Sequence, residues 1–388
     1  MKIDTLVCEQ TGSLSKIALL EEGRLSEVEF FDENQPAEGN VYLGRITRKL
    51  DLANGKTGYF VNLGGSRDAF LNADETGLKE TNYSEGQSLV VQVMQERRAE
   101  KGPKVMRGVQ LAGEYIVYCP YRLSVEASAK IEDKLKVQEY RQKVIENTTG
   151  QEGWILRTSS VEVPFEKIAE EMEKLRADYE EVLQKARKLS APAILLSRPN
   201  PLYEVLRRYK DSLRRVVLNS RNTEAEIKKL YPELETEIDI APFKNCGIEE
   251  ALSEALNKTV NLPSGGRIII EETRACVAVD VDSGDDKANG NLARLNIEAA
   301  EEIARQIKLR NLSGKIIIDF AGSSDFRYLK PVIEALEAAM ADDYVKSSVL
   351  GLSRGGSVEV VRVRKRPSLS DLLTEPCESC LGTGRVAK

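Results

Sequence analysis

At 388 residues, with 41% hydrophobic and 30% charged positions, the chain is long enough for several domains around well-buried cores. Its net charge of -6 argues mildly against a nucleic-acid binder, although a local basic groove can sit on an acidic protein. Histidine is absent, which excludes Ser-His-Asp and Cys-His catalysis, His-ligated zinc and a His general base, and leaves metal-activated water as the hydrolytic route.

No apolar run approaches bilayer-spanning length, and the N-terminal MKIDTLVCEQTGS lacks the apolar core of a signal peptide, so a cytoplasmic protein is expected. Of six cysteines, at 8, 119, 246, 276, 377 and 380, the first four sit in apolar surroundings that suit buried free thiols in a reducing compartment.

In chain order, residues 1–36 alternate in short segments, Lys16–Leu20 and Ser26–Phe31, around a turn-like EEGR. They predict a hairpin that joins a sheet completed elsewhere. Between about Ala37 and Gly108 come closely spaced strand signals at Val41–Thr47, Thr57–Leu63, Asp68–Leu71 and Gln87–Val93, the pattern of a small OB-type barrel. Such barrels bind single strands by stacking bases on aromatics beside basic residues. Tyr42, Tyr59, Phe60 and Phe70, with Arg45, Arg67, Arg97, Arg98, Lys101 and Lys104, supply both ingredients, unless the rings merely fill the barrel. Further strands are expected at Tyr115–Tyr118 and Gly153–Thr158 and a helix near Lys134–Asn147. Pro164 then opens a long helix whose Ile168, Met172, Leu175, Tyr179, Val182 and Leu183 form one apolar stripe. Pro192, Pro199 and Pro201 mark a boundary, after which Pro201–Arg214 and Ile248–Val260 read as helices with short strands at Arg215–Leu218 and Glu235–Ile240 between them.

The stretch from Arg267 to Phe320 carries the chemistry. Ala275–Asp282 alternates, so Ala278, Asp280 and Asp282 share one strand face and Val277, Val279 and Val281 the other. Lys315–Phe320 is a short β-branched run, the signature of a buried strand, and Asp319 at its end is costly without compensation. Hard oxygen ligands at strand ends suit Mg²⁺ or Mn²⁺ rather than zinc. The plainer alternative is a β-α-β unit whose aspartates cap turns; it accounts for Asp285 and Asp286 but not for Asp280, which lies inside a strand.

A helix near Tyr328–Ala341 and two strands joined at Arg354–Gly356 follow. Arg362, Arg364 and Arg366 are expected on one face, as an ordinary polar surface or as a phosphate track. The tail holds Cys377-Glu-Ser-Cys380 before Gly-rich turns. A C-x-x-C knuckle offers two of the four ligands of a structural zinc, and two chains could complete a four-thiolate site across a dimer; a redox pair or a free hairpin is the alternative.

Several long motifs, in order, resemble the RNase E/G family of bacterial endoribonucleases. AVDVDSG, NIEAAEEIARQIKLRNLSGKIIIDF and PCESCLGTG are similar to its metal-site, helix-strand and zinc-link segments, and GNVYLGRITR and YFVNLGGSRDAFL to its OB domain. The resemblance implies an α+β multidomain fold: an RNase H-like subdomain from 1–36 and 192–256, an inserted OB-fold domain at 37–115, a 5′-sensor domain at 116–191, a DNase I-like catalytic subdomain at 257–370 and a zinc-link at 371–388. It implies single-stranded RNA as substrate, cleaved with Mg²⁺ held by Asp280 and Asp319 to leave 5′-phosphate ends, in RNA processing, mRNA decay or rRNA maturation. A non-catalytic RNA-binding or maturation factor on the same scaffold is the alternative. By the same resemblance Phe60, Phe70 and Lys101 contact RNA, Arg157 and Thr158 read a 5′-monophosphate, and Cys377 and Cys380 share Zn²⁺ in a homodimer. Asp282 stands where the family has Asn and helps orient the metal, and Ser124–Ile131 departs from the loop that completes the family's 5′ pocket.

Overall fold

The computed structural model describes residues 3–52, 56–72, 82–97, 101–198, 200–284, 292–322, 326–375 and 377–380. Asp285, Asp286, Arg98 and the Gly-rich turns after Cys380 lie outside them. Two compact units divide the chain, one of Met1–Asp32 with Asn200–Lys388 and one of Glu33–Pro199.

The first unit opens with an antiparallel meander, β1 (Thr5–Thr11), β2 (Leu14–Glu21) and β3 (Arg24–Asp32). The chain then builds the second unit. β4 (Val41–Asp51), β5 (Thr57–Asn62), β6 (Ala69–Asn72), β7 (Ser88–Gln95) and β8 (Lys104–Met106) pair in the order β4-β5-β6-β8-β7. A β4–β7 ladder closes them into a five-stranded, OB-like barrel. Closure removes the exposed edges that an open sheet of these short strands would leave. Alternation sends Ile46, Tyr59, Val61, Leu71, Val91 and Val105 into the barrel core.

A second sheet in this unit has the order β11-β12-β10-β9, from β9 (Leu111–Ala112), β10 (Ile116–Cys119), β11 (Val125–Ala127) and β12 (Gly153–Leu156). β11 falls inside Ser124–Ile131 and runs parallel to β12. Helix α1 (Lys134–Glu146) is N-capped by the Asp133 carboxylate. The long α2 (Phe165–Lys188) lays Ile168, Met172, Leu175, Tyr179 and Val182 on a core that holds Ile116, Tyr118, Trp154 and Leu156. The expected stripe is the buried one. A short β13 (Ala193–Leu196) then pairs antiparallel with β4, so these residues lie in the barrel sheet.

Back in the first unit, α3 (Pro201–Arg208) ends two turns in, six residues before the expected stop at Arg214. Its stripe of Leu202, Val205 and Leu206 is then complete, and Leu213 packs into the same core from beyond the helix, its N–H donating to the Tyr209 carbonyl at 2.8 Å. β14 (Arg215–Leu218) runs parallel to β1 and is followed by α4 (Arg221–Leu230) and β15 (Glu235–Ile238), which gives a five-stranded sheet β15-β14-β1-β2-β3. The short α5 (Pro242–Asn245) and α6 (Ile248–Ala255) cover Val7, Ala18 and Leu20 of that sheet. The helix expected to reach Val260 stops at Ala255, because Thr259–Asn261 is already β16 of the next sheet.

That next sheet has the order β16-β17-β18-β19-β21-β20, with β17 (Arg267–Glu272), β18 (Val277–Asp282), β19 (Gly314–Asp319), β20 (Ser347–Leu352) and β21 (Val358–Arg362). Helices α7 (Leu292–Leu309) and α8 (Phe326–Met340) bury their apolar stripes against one face, over Val277, Val279, Val281, Ile316 and Ile318. The alternate residues, among them Asp280, Ile317 and Asp319, are exposed on the opposite face. A short α9 (Leu369–Leu373) is N-capped by Ser368.

Candidate active site and RNA platform

β18 and β19 run parallel, with Asp280 and Asp319 as register partners at the carboxyl ends of both strands. Partners on neighbouring strands lie about 4.8 Å apart and point to the same side, so two carboxylates share one spot on the open face. Among the described residues neither is in an ion pair, and like charges this close call for a cation. The donors are hard oxygens from two carboxylates, the usual protein share of a Mg²⁺ site whose other positions go to water and phosphate. These two residues therefore fit Mg²⁺.

Asp282 differs from this pair. Its register partner on β17 is Arg267, whose Nη2 lies 2.5 Å and Nε 3.0 Å from Asp282 Oδ2, while Oδ1 accepts the Gly284 N–H at 2.9 Å. Both carboxylate oxygens thus have protein partners. Among the described residues no three Cys, Asp or Glu side chains cluster closely enough to hold a metal together. Behind the pair, the buried Asn296 of α7 exchanges hydrogen bonds with Ala321, donating from Nδ2 at 2.9 Å and accepting at Oδ1 at 3.2 Å. This pins the chain two residues after Asp319. Sequence reasoning assigned no role to Arg267 or Asn296; Arg267 could be found by matching β17 and β18 in a hairpin, which places it opposite Asp282.

The expected arginine face needs correction. Val358, Val360 and Arg362 alternate on the buried side of β21, not the solvent side. Arg362 is 2% exposed and holds the buried Asp343 at 2.6 Å, Asn311 Oδ1 at 2.7 Å and the Leu312 carbonyl at 3.1 Å. The strand ends at Arg362, so alternation no longer governs the next two arginines. Arg364 donates to Ser313, and Arg366 pairs with the buried Glu29 at 2.6 Å. They tie the subunit's interior rather than track phosphates.

On the barrel, the strand period sorts the four aromatics into two pairs. Tyr42 and Tyr59 are core residues, whereas Phe60 and Phe70 sit half-buried on the outer face as register partners of β5 and β6. Their rings meet edge to face at 5.8 Å. Arg48, the β4 partner of Phe60, lies over that ring at 4.3 Å, and Lys104 of β8 is the partner of Phe70. A row of cation, ring, ring and cation thus crosses four strands. Gly58 makes room for it, since a Cβ there would fall 2.7 Å from the Phe70 ring. Arg48 was not foreseen, because a β-bulge between Ile46 and Arg48 turns it outward against simple alternation. Lys101 is exposed, three residues before Lys104.

In the second sheet of the same unit, Arg157 and Thr158 are exposed at the end of β12, where a 3₁₀ turn, Thr158–Glu162, begins. The Arg157 Nη1 donates to the Gly113 carbonyl, and Ser159 Oγ to the Glu114 carbonyl at 2.6 Å. At the other end of the chain, Cys377 and Cys380 are free thiols flanking one turn. The backbone N–H groups of Cys380 and Ser379 stabilise the Cys377 thiolate and lower its pKa from the ordinary thiol value.

The ribonuclease E/G family model matches residues 110–365 of the chain. Ribonuclease G of Haemophilus influenzae is 31% identical over 415 aligned residues, which cover 98% of this chain and 84% of that protein. The Escherichia coli K12 ribonuclease G is 30% identical over 413 residues with the same coverage. The chain belongs to the ribonuclease E/G family. That family is one of endoribonucleases, so the enzyme class expected from the sequence stands. A ribonuclease E from a Nostoc strain is 31% identical over 377 residues, 90% of this chain but 54% of that longer protein. Within the family match lie Arg157, Asp280, Asp282 and Asp319, while the barrel row falls ahead of it and the Cys377 turn after it. Among the described residues no helix is long and apolar enough to cross a membrane.

Proposed function

We propose that this chain is a Mg²⁺-dependent endoribonuclease that cuts single-stranded RNA, in RNA processing, mRNA decay or rRNA maturation, and leaves 5′-phosphate ends. The observation that carries the reading is the in-register Asp280–Asp319 pair at the ends of two parallel strands, on an open sheet face, in a member of an endoribonuclease family. Asp280 and Asp319 would hold the cation. The chemistry supplied by Mg²⁺ when bound is Lewis-acid stabilisation of the phosphate and acidification of the attacking water.

The chain's own residues do the rest. Asn296 fixes the backbone behind Asp319, and Arg267 restrains Asp282 at the edge of the pair, where it acts on the site's charge rather than as a third ligand. Phe60 and Phe70 stack unpaired bases, flanked by Arg48, Lys104 and Lys101 for the backbone phosphates. Arg157 and Thr158 would receive a 5′-monophosphate.

The same reading covers the architecture. A mixed sheet in the order β3-β2-β1-β14-β15, with only β2 opposed to β1, suits an RNase H-like subdomain, and the β16–β21 sheet backed by α7 and α8 suits the DNase I-like catalytic subdomain. Cys377 and Cys380 would each give a thiolate to a Zn²⁺ shared by two chains, since a closed structural site needs four ligands.

The test is a 5′-labelled single-stranded RNA incubated with purified protein in Mg²⁺ and in EDTA, with metal content measured alongside. Internal cleavage in Mg²⁺ only, with products that accept ligation through a 5′-phosphate, is expected. So is about half an equivalent of zinc per chain, found in dimers. Binding without cleavage would instead make the chain a non-catalytic RNA-binding factor, and a Cys377→Ser dimer that persists without zinc would remove the shared site.

A further inference from the structure

The turn Gly113–Ile116, between β9 and β10, is held from two sides. On its amide side Glu171, which projects from α2, accepts three successive backbone N–H groups: Glu114 at 2.5 Å to Oε1, and Tyr115 at 2.7 Å and Ile116 at 3.1 Å to Oε2. Consecutive N–H groups aimed at one point form an anion-binding nest, and here the chain's own carboxylate fills it. The fit is close. A Cβ on Gly113 would fall 2.3 Å from the Glu171 carboxyl carbon, so only glycine lets the carboxylate approach.

On its carbonyl side the same turn holds the Arg157–Ser159 segment. The Gly113 carbonyl accepts from the Arg157 guanidinium, the Glu114 carbonyl accepts from Ser159 Oγ at 2.6 Å, and the Tyr115 carbonyl accepts from the Arg157 N–H at 2.9 Å. Each peptide of the turn therefore presents its N–H toward Glu171 and its carbonyl toward Arg157 or Ser159. Removing the carboxylate would leave three amides without their acceptor, and the turn would rotate to find others. Its carbonyls would rotate with it.

We infer that Glu171 is a positioning residue for recognition of the RNA 5′ end: through the Gly113–Ile116 turn it sets where Arg157 and Thr158 stand. This rests on the end-sensing reading of Arg157 and Thr158 given above. Glu171 itself touches no RNA.

The experiment compares KM and kcat on one RNA sequence bearing a 5′-monophosphate or a 5′-hydroxyl, for wild type, Arg157→Ala, Glu171→Ala and Glu171→Gln. Wild type is expected to favour the monophosphate through KM. Arg157→Ala and Glu171→Ala should each lose about tenfold of that advantage, and Glu171→Ala should leave kcat on the hydroxyl RNA unchanged. Glu171→Gln, which keeps one acceptor oxygen, should restore part of it. Faster amide exchange at Glu114–Ile116 in Glu171→Ala, with Trp154 fluorescence unaltered, would separate a moved turn from a damaged core. A wild type indifferent to the 5′ end, or an Arg157→Ala enzyme that keeps the preference, overturns the end-sensing reading and the role with it. If both behave as expected while Glu171→Ala keeps the wild-type preference, the role of Glu171 alone is overturned.

Discussion

The barrel and the β16–β21 sheet each present an outer face, and the two are assembled differently. On the barrel face, Phe60 and Phe70 rest on each other and Arg48 stacks over Phe60, so the row is complete within the chain. On the β16–β21 sheet, Asp280 and Asp319 stand side by side with no ion-pair partner among the described residues. The first face is a finished surface; the second sets two like charges side by side, the pair to which the proposed function gives a cation. Binding and cutting should therefore fail independently.

The sharpest separation comes from Asp280→Asn and Asp319→Asn. Each should lower the rate of cleavage by about 10²–10³-fold, the scale of losing one preorganised electrostatic group, with RNA affinity retained. Asp282→Asn should fall well short of that, because its carboxylate is already committed to Arg267 and Gly284. Equal losses at all three positions in a single-turnover assay would break the distinction between the pair and Asp282.

Phe60→Ala or Phe70→Ala should give the reverse pattern. Affinity for a short single-stranded RNA should weaken by about 1–3 kcal/mol per lost stacking site, and turnover at saturating RNA should hold. Fluorescence anisotropy on the Asp280→Asn background reads binding without cleavage. A collapse of turnover at saturation would mean that the barrel face takes part in the chemical step.

The smallest effect concerns the unit that carries the barrel. Burial raises the Glu152 carboxyl, but hydrogen bonds from Arg176, at 2.6 Å, and from Thr149 outweigh it and hold the pKa below the ordinary carboxylate value. A carboxyl lowered in this way contributes stability above its unfolded pKa of about 4.3, and the contribution is lost as pH falls through the folded value. Arg176 also lies over Trp154 at 5.2 Å, and Trp154 is the sole tryptophan in the sequence. Acid titration followed by its fluorescence should show a midpoint that shifts to higher pH in Arg176→Met. An unchanged midpoint would show that the pair does not set acid stability here.

What the sequence made legible was mostly a matter of period. The alternation in Val277–Asp282 pointed Asp280 away from the valines, and the stripe on α2 was readable in full, whereas the β-branched run Lys315–Asp319 reads as a buried strand although Ile317 and Asp319 are exposed on its open face. Pairing between strands was not legible. That Asp280 sits beside Asp319, and Asp282 beside Arg267, depends on register across 38 intervening residues in one case and a hairpin in the other. The arginines near the end show the limit of alternation, since the step of two that joins Arg362 to Arg364 runs past the last strand residue. Strands of two to four residues, such as β9 and β13, carry too few side chains to show any period.

The strand pairing between β4 and β13 bears on how so long an insert can be accommodated. Val41 stands opposite Leu196, and the Arg198 N–H donates to Asn40 Oδ1 at 2.8 Å, so the chain enters and leaves the Glu33–Pro199 unit through neighbouring antiparallel segments. Closing a flexible loop costs entropy that grows as about (3/2)RT ln n, whereas a folded neck fixes both ends at once. Seen as a graft, the unit carries its own clasp. It would tolerate transfer into another surface turn whose two ends lie one strand spacing apart, and a shortened version that loses Ala193–Leu196 would no longer fasten.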